Sequence, residues 1–287
     1  MNIKKIGVIG AGQMGNGIAQ VAAQFGYSVV LTDVAAPSLE KAMQVIAGSC
    51  DRLVKKAVMT EDQKAELLKR IQTSTSLAEL KSCDVIVEAA TENLDLKLKI
   101  FKELDAIAKP EALLCSNTSS ISITKIAAAT KRPSQVAGMH FMNPVPLMKL
   151  VEGIRGLQTS DQTFSAIKSL AEKMDKVFVP SDKDMPGFIV NRILMPMINE
   201  AVYSLHEGIA SVEAIDNAMK LGTNQPMGPL TLADFIGLDT CLAIMNVLHD
   251  GFGDSKYRPC PLLTKYVEAG WLGRKTGRGF YNYENQK

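Results

Sequence analysis

Between Lys5 and Gly26 the chain runs through a short apolar stretch, Lys5-Ile-Gly-Val-Ile9, and a glycine cluster, Gly10-Ala11-Gly12-Gln13-Met14-Gly15. Ile18, Val21, Ala22 and Phe25 then recur at helical spacing until Gly26 ends the pattern. A buried strand that turns directly into a helix through G-x-G-x-x-G leaves little choice of fold. Gly10 makes the tight turn, Gly12 lets the backbone approach a pyrophosphate, and Gly15 lets helix and strand pack closely. The helix N-terminus adds unpaired N–H groups and a partial positive charge, both suited to phosphate.

The segments that follow keep to this pattern. Ser28-Val-Val-Leu-Thr32 reads as a strand closed by Asp33, placed to bond the ribose hydroxyls of an adenosine. Between Asp33 and Lys41 there is no arginine or lysine, so nothing nearby in sequence neutralises a 2′-phosphate, which favours NAD over NADP. Ser38 to Val58 reads as one long helix, and Thr60 with Gln63 as the capping box of another reaching Arg70. The pair is longer than a crossover needs and is expected to project from the sheet, exposing Arg52, Lys55 and Lys56. Asp84-Val-Ile-Val-Glu88, Leu113-Leu-Cys115 and Lys176-Val-Phe-Val-Pro180 are further strands, with helices over Leu94 to Ala108 and Asp161 to Met174. From Asp184 onward the pattern is helical almost throughout, Pro196 interrupting a long first helix and Gly228 and Gly237 dividing later ones. The expected fold is therefore α/β: a Rossmann-like, doubly wound, mostly parallel sheet over 1–184, then an all-helical domain over 185–287.

Composition narrows the function. The 287 residues carry 32 basic and 30 acidic side chains, a net charge of +2 that gives no nucleic-acid footprint. The five cysteines are odd in number and never spaced C-x-x-C, which argues against a disulfide framework or a zinc site. Lys4 and Lys5 before an apolar run resemble a signal peptide, but the glycines break the run. No stretch is long enough to span a bilayer. The expectation is a soluble, cytoplasmic protein without membrane partners; a mitochondrial protein stripped of its presequence would read alike.

In a doubly wound sheet ligands bind at the strand ends, where Glu92, Lys97, Asn117 and Ser119 fall. The stretch Val136-Ala-Gly-Met-His-Phe-Met-Asn-Pro-Val-Pro146 reads as a strand carrying His140 into a stiff corner. A second apolar run follows, with Glu152 at its end. A histidine and a carboxylate on neighbouring strands suit a base and its orienting partner. The plain alternative is a core histidine and a solvated glutamate.

Taken together, GAGQMG, VEAATEN, SNTSS, GMHFMNPVPLMKLVE, DMPGFIVNR, AMKLGTNQPMGP and GRKTGRGFYNY resemble the short-chain L-3-hydroxyacyl-CoA dehydrogenases, in that family's order from end to end. Only the region from Ser38 to Lys81 carries little motif. The resemblance implies an NAD-dependent oxidoreductase acting on an acyl-CoA, 3-hydroxybutyryl-CoA and acetoacetyl-CoA being the expected pair. It also implies a helical domain that forms a homodimer. His140 would be the catalytic base and Glu152 its partner, with Ser119 and Asn191 positioning the reacting oxygen. Glu92, Lys97 and Asn143 would line the nicotinamide side, Lys275 would approach the cofactor, and Ser49 and Lys56 match positions that touch CoA. Two other readings stay open: a dehydrogenase of a free hydroxy or sugar acid on the same architecture, and a non-catalytic NAD-binding protein.

Overall fold

The computed structural model describes residues 2–284, which divide into two compact units that part between Met185 and Pro186. The first unit alternates strand and helix: β1 (Lys5–Ile9), α1 (Gln13–Gln24), β2 (Ser28–Thr32), α2 (Ala36–Lys55), α3 (Glu61–Lys69), β3 (Ile71–Ser74), β4 (Val85–Glu88), α4 (Leu94–Ile107), β5 (Leu113–Ser116), α5 (Ile123–Ala128), β6 (Val136–Phe141), β7 (Leu150–Ile154), α6 (Asp161–Lys173) and β8 (Val177–Ser181). The eight strands form one sheet in the order β3-β2-β1-β4-β5-β6-β7-β8. Every neighbouring pair is parallel except β6 and β7. This is the doubly wound fold expected, and its order reverses between β1 and β4, so a crevice opens where Ile9 leads into Gly10 and Glu88 into Ala89.

The strands are apolar on both faces because helices cover both. Ile6, Val8, Val29, Leu31, Val85 and Val87 lie in the core with Ile18, Ala19 and Ala22 of α1. Helix α2 buries Leu39, Ala42, Ile46 and Cys50, one stripe at 3- and 4-residue steps, in that same core. The α2–α3 pair is therefore packed on its inner side, where a projecting pair was expected. Its opposite side exposes Arg52, Lys55 and Lys56 as expected. Thr60 and Gln63 do form the reciprocal capping box of α3, and Lys64 ties α3 to Asp51 of α2 at 2.5 Å.

Two features differ from the sequence reading. Ile71–Ser74, unassigned there, is an edge strand with only Ile71 buried, too short and polar to show a period. Glu152 lies inside β7, two residues before its end, because the turn after the proline corner delays that strand to Leu150.

The second unit comprises α7 (Val190–His206), α8 (Val212–Gly222), α9 (Pro229–Ile236), α10 (Leu238–Phe252) and α11 (Pro261–Glu268). Its core gathers Met195, Ile198, Val202, Leu230, Ala233, Leu238, Cys241, Met245 and Leu263. Pro196 lies within α7. Gly237, at φ +104°, turns α9 into α10 by 98°, a conformation that side-chain-bearing residues resist. The glycine-rich tail is clasped by two buried carboxylates. Asp234 accepts the N–H groups of Phe280 and Tyr281 and the Tyr283 hydroxyl, and Asp216 accepts the Tyr281 hydroxyl. Among the described residues no single helix is long and apolar enough to cross a membrane.

Candidate active site

The glycine loop is built as its spacing requires. Gly10 has φ +94°, and a Cβ at Gly15 would lie 1.7 Å from the Gly10 carbonyl oxygen. Gly12 is exposed, and a Cβ there would meet nothing within 4 Å. Protein packing thus explains glycine at 10 and 15 but not at 12. A ligand running close over the backbone supplies the missing reason. Asp33, at the end of β2, accepts the Ala11 N–H at 2.8 Å through one oxygen and the Ala35 N–H at 3.0 Å through the other. Two backbone amides so fix the carboxylate beside the loop; it does not cap α2, whose N-cap is Ala35.

Loop and carboxylate border a groove of about 1070 Å³ that continues along α2 past Ser49, Arg52 and Lys56 to the corner at Asn143. Gln13 belongs to its wall, as do Gly12 and Ala11, whereas Met14 turns partly into the core. Lys41, the first cation after Asp33, also lines it. His140, Ser119 and Glu92 are not among its walls.

His140 and Glu152 face each other as a cross-strand pair of the antiparallel β6–β7 ladder. The imidazole Nδ1 lies 2.7 Å from Glu152 Oε2; the carboxylate is wholly buried and the histidine 8% exposed. Sequence placed both on strand ends. The register explains their meeting better, since opposed residues hold their side chains on one face whatever their distance from the end. A Cβ at Gly153 would strike the Phe178 ring at 1.8 Å, so glycine beside Glu152 leaves room for that ring.

β5 ends in the loop from Ser116 to Ser120. Asn117 donates its N–H to the Glu88 carbonyl and accepts the Phe141 N–H at 2.9 Å, which fixes the loop to β4 and to the histidine strand. Glu92 holds the rest of the loop. Its Oε1 accepts from the Thr118 hydroxyl at 2.5 Å, the Ser119 and Ser120 amides at 3.0 and 3.2 Å, and the Ser120 hydroxyl at 3.0 Å. The Ser119 hydroxyl is the loosest partner, at 3.3 Å, and so the one most easily redirected. Burial alone would raise the Glu92 carboxyl. The Lys97 charge and the bonds from Thr118, Ser119 and Ser120 outweigh it and hold the group below the usual carboxylate range. Ser122, rather than Ser119 or Ser120, caps α5.

Lys97, like Glu92, is not among the groove's walls. Only 1% exposed, it pairs with Glu88 at 2.6 Å and Glu92 at 3.4 Å, and it reaches the crevice through Glu92. Asn191 is buried in the first turn of α7, and Lys275 pairs with Asp239, both within the helical unit. Of the buried polar groups that sequence reasoning passed over, two bear on this region. Lys176 donates to the Val145 and Met148 carbonyls at 2.6 and 2.8 Å, holding the proline corner from below. Glu88 is the other. Each looked like the margin of a strand, and only the partners reveal a role. All five cysteines are free and buried, and burial pushes Cys83 to about 11 and Cys115 to about 12.

Fold, glycine loop and the carboxylate that closes β2 beside it together define a dinucleotide-dependent oxidoreductase. The comparisons narrow the class. The 3-hydroxyacyl-CoA dehydrogenase NAD-binding domain matches residues 5–185 and the C-terminal domain of that family residues 187–283. The chain is 62% identical over 285 residues to a 3-hydroxybutyryl-CoA dehydrogenase of Bradyrhizobium diazoefficiens, covering 99% of this chain and 97% of that protein. It is 56% identical to a probable 3-hydroxybutyryl-CoA dehydrogenase of Bacillus subtilis, covering 100% and 99%. The crystal structure of an (S)-3-hydroxybutyryl-CoA dehydrogenase from Ralstonia eutropha superposes with a TM-score of 0.96 at 55% identity, covering 99% of this chain and 100% of that one. The chain belongs to the 3-hydroxyacyl-CoA dehydrogenase family and is an NAD-dependent enzyme of that family.

Proposed function

We propose that the enzyme interconverts 3-hydroxybutyryl-CoA and acetoacetyl-CoA, with His140 and Glu152 as its acid–base pair. The observation that carries this reading is the 2.7 Å contact between His140 Nδ1 and the fully buried Glu152 carboxylate. With Nδ1–H donated to Glu152, Nε2 keeps its lone pair and takes the hydroxyl proton. NAD, when bound, supplies the acceptor of the hydride that leaves carbon 3. Glu152 holds the ring in this tautomer and balances the imidazolium once the proton has arrived. In the reverse direction His140 returns the proton to the ketone oxygen. The Ser119 hydroxyl donates to that oxygen as negative charge develops on it.

Ser49, Arg52 and Lys56 share the groove with the glycine loop, and their two cations suit a substrate that carries phosphates. That feature favours an acyl-CoA over a free hydroxy acid. The helical unit further supports a homodimer, because it leaves large apolar side chains exposed. Steady-state NADH oxidation with acetoacetyl-CoA and longer 3-ketoacyl-CoAs tests the reading. The C4 substrate should be turned over well; no turnover of any CoA thioester, with activity on a free hydroxy acid, would overturn it.

A further inference from the structure

Two opposite charges taken together out of water are harder to keep than an apolar pair of the same volume. Glu88, the last residue of β4, and Lys97, in the first turn of α4, are such a pair, 0% and 1% exposed and 2.6 Å apart. Glu88 does more than balance the lysine. Its Oε1 also accepts the Ala90 N–H at 2.7 Å, and its Oε2 accepts the Ser116 hydroxyl at 2.6 Å. One carboxylate thus joins the end of β4, the end of β5 and the start of α4. Each connection leads into the 116–120 loop or to the residue that holds it. Ser116 begins the loop, and Lys97 stands 3.4 Å from Glu92 Oε2, whose other oxygen gathers Thr118, Ser119 and Ser120.

We propose that Glu88 is a positioning residue of the reaction: acting through Lys97 and Glu92 on one side and Ser116 on the other, it sets the Ser119 hydroxyl. The inference rests on the reading of Ser119 given above. Glu92 is partly exposed, so water competes for its carboxylate. A buried ammonium directed at Oε2 draws that carboxylate inward and leaves Oε1 facing the loop. The ammonium is tolerated in the interior because carboxylates neutralise it, Glu88 at 2.6 Å with both groups buried and Glu92 at 3.4 Å. An apolar pair at 88 and 97 would fill the same space and let Glu92 swing toward solvent, carrying the loop with it.

The test compares kcat, KM for acetoacetyl-CoA and Tm in five variants: Glu88→Gln, Lys97→Met, the double variant Glu88→Gln/Lys97→Met, Ser119→Ala, and the triple variant that joins Ser119→Ala to the double. Each single charge removal should lower Tm, because it strands the other charge. The double variant should regain most of that Tm while kcat stays down by up to about 10²-fold, the scale of loss for a small misplacement of a reacting group. Its KM should change less than its kcat. Adding Ser119→Ala to the double variant should cost little more, since the hydroxyl has already lost its placement. If kcat returns together with Tm, the pair is only structural and the proposal is overturned. If Ser119→Ala alone leaves kcat intact, the reading of Ser119 fails and this inference with it. A loss in Ser119→Ala beside full kcat in the double variant removes the inference alone. Should the double variant not fold, Ser116→Ala decides, since it deletes one Glu88 contact and leaves both charges. Reduced kcat at wild-type Tm there supports the role, and unchanged kcat overturns it.

Discussion

The imidazole of His140 bonds the buried Glu152 directly across the ladder. Replacing the imidazole by an amide keeps the approximate shape and removes the proton acceptor. His140→Asn should therefore lower kcat by roughly 10²- to 10⁴-fold. Tm and NADH affinity should stay near wild type, since the glycine loop and Asp33 are untouched. Full activity in a well-folded His140→Asn protein would return the pair to the role of core packing. Glu152→Gln should also lower kcat, and combining the two changes should cost less than the product of the single losses, because the pair acts as a unit. Asp33 is subject to a separate test. A carboxylate fixed at the ribose side opposes a 2′-phosphate, so NADH should exceed NADPH in kcat/KM, and Asp33→Ala should narrow the gap mainly by weakening NADH; equal kcat/KM for both cofactors in the wild type would refute it. At this scale the sequence pointed to Gly10, Gly12 and Asp33, which line the groove, because glycine spacing and strand-end carboxylates are local signals. Glu88 and Lys176 were not legible, since a buried charge is recognised by its partners, which lie 9 and 28 residues from Glu88 and 28 and 31 from Lys176.

At the scale of elements, strand and helix periods were legible almost throughout; register was not. The antiparallel β6–β7 pairing that joins His140 to Glu152 depends on where the proline corner releases the chain, and apolar pattern alone does not fix that. Nor did pattern reveal that α2 packs its inner stripe while presenting Lys56 to the groove. This last placement makes Lys56→Ala informative. It should raise KM for acetoacetyl-CoA and leave KM for a truncated thioester lacking the CoA phosphates nearly unchanged, whereas equal effects would make Lys56 a solvated cation only. The loop gives a pH test. Because the Glu92 carboxyl is held below its ordinary value of 4.5, its contribution to stability is complete above that value and lost as pH falls through the depressed one. The Tm difference between wild type and Glu92→Gln should shrink on acidification below about 4.5; a difference constant with pH would show that charge is not what holds the loop.

At the scale of the whole molecule, what the sequence offered was order: seven motifs in one sequence of appearance, and a change of composition near Asp184 that lies beside the observed parting of the units. What it could not offer was the fate of apolar positions that one helical unit fails to bury. Of this unit's apolar side chains, Met195, Ile198, Leu238 and Met245 enter the core, but Ile193 remains 67% exposed and Leu221 85%. Phe235 and Ile209 are also exposed. So many large apolar side chains on one small unit are a cost in water unless a partner covers them, and a second copy of the chain is the simplest partner because its surface carries the same groups. Light scattering should then give twice the 31.1 kDa chain mass at micromolar concentration and above. Ile193→Asp and Leu221→Asp separate association from folding: each removes apolar surface from a position open to solvent in the single chain, so a loss of dimer at nearly unchanged secondary structure places that position in the interface. A mass of one chain, independent of concentration, would mean that these side chains stay in water and that the homodimer does not form.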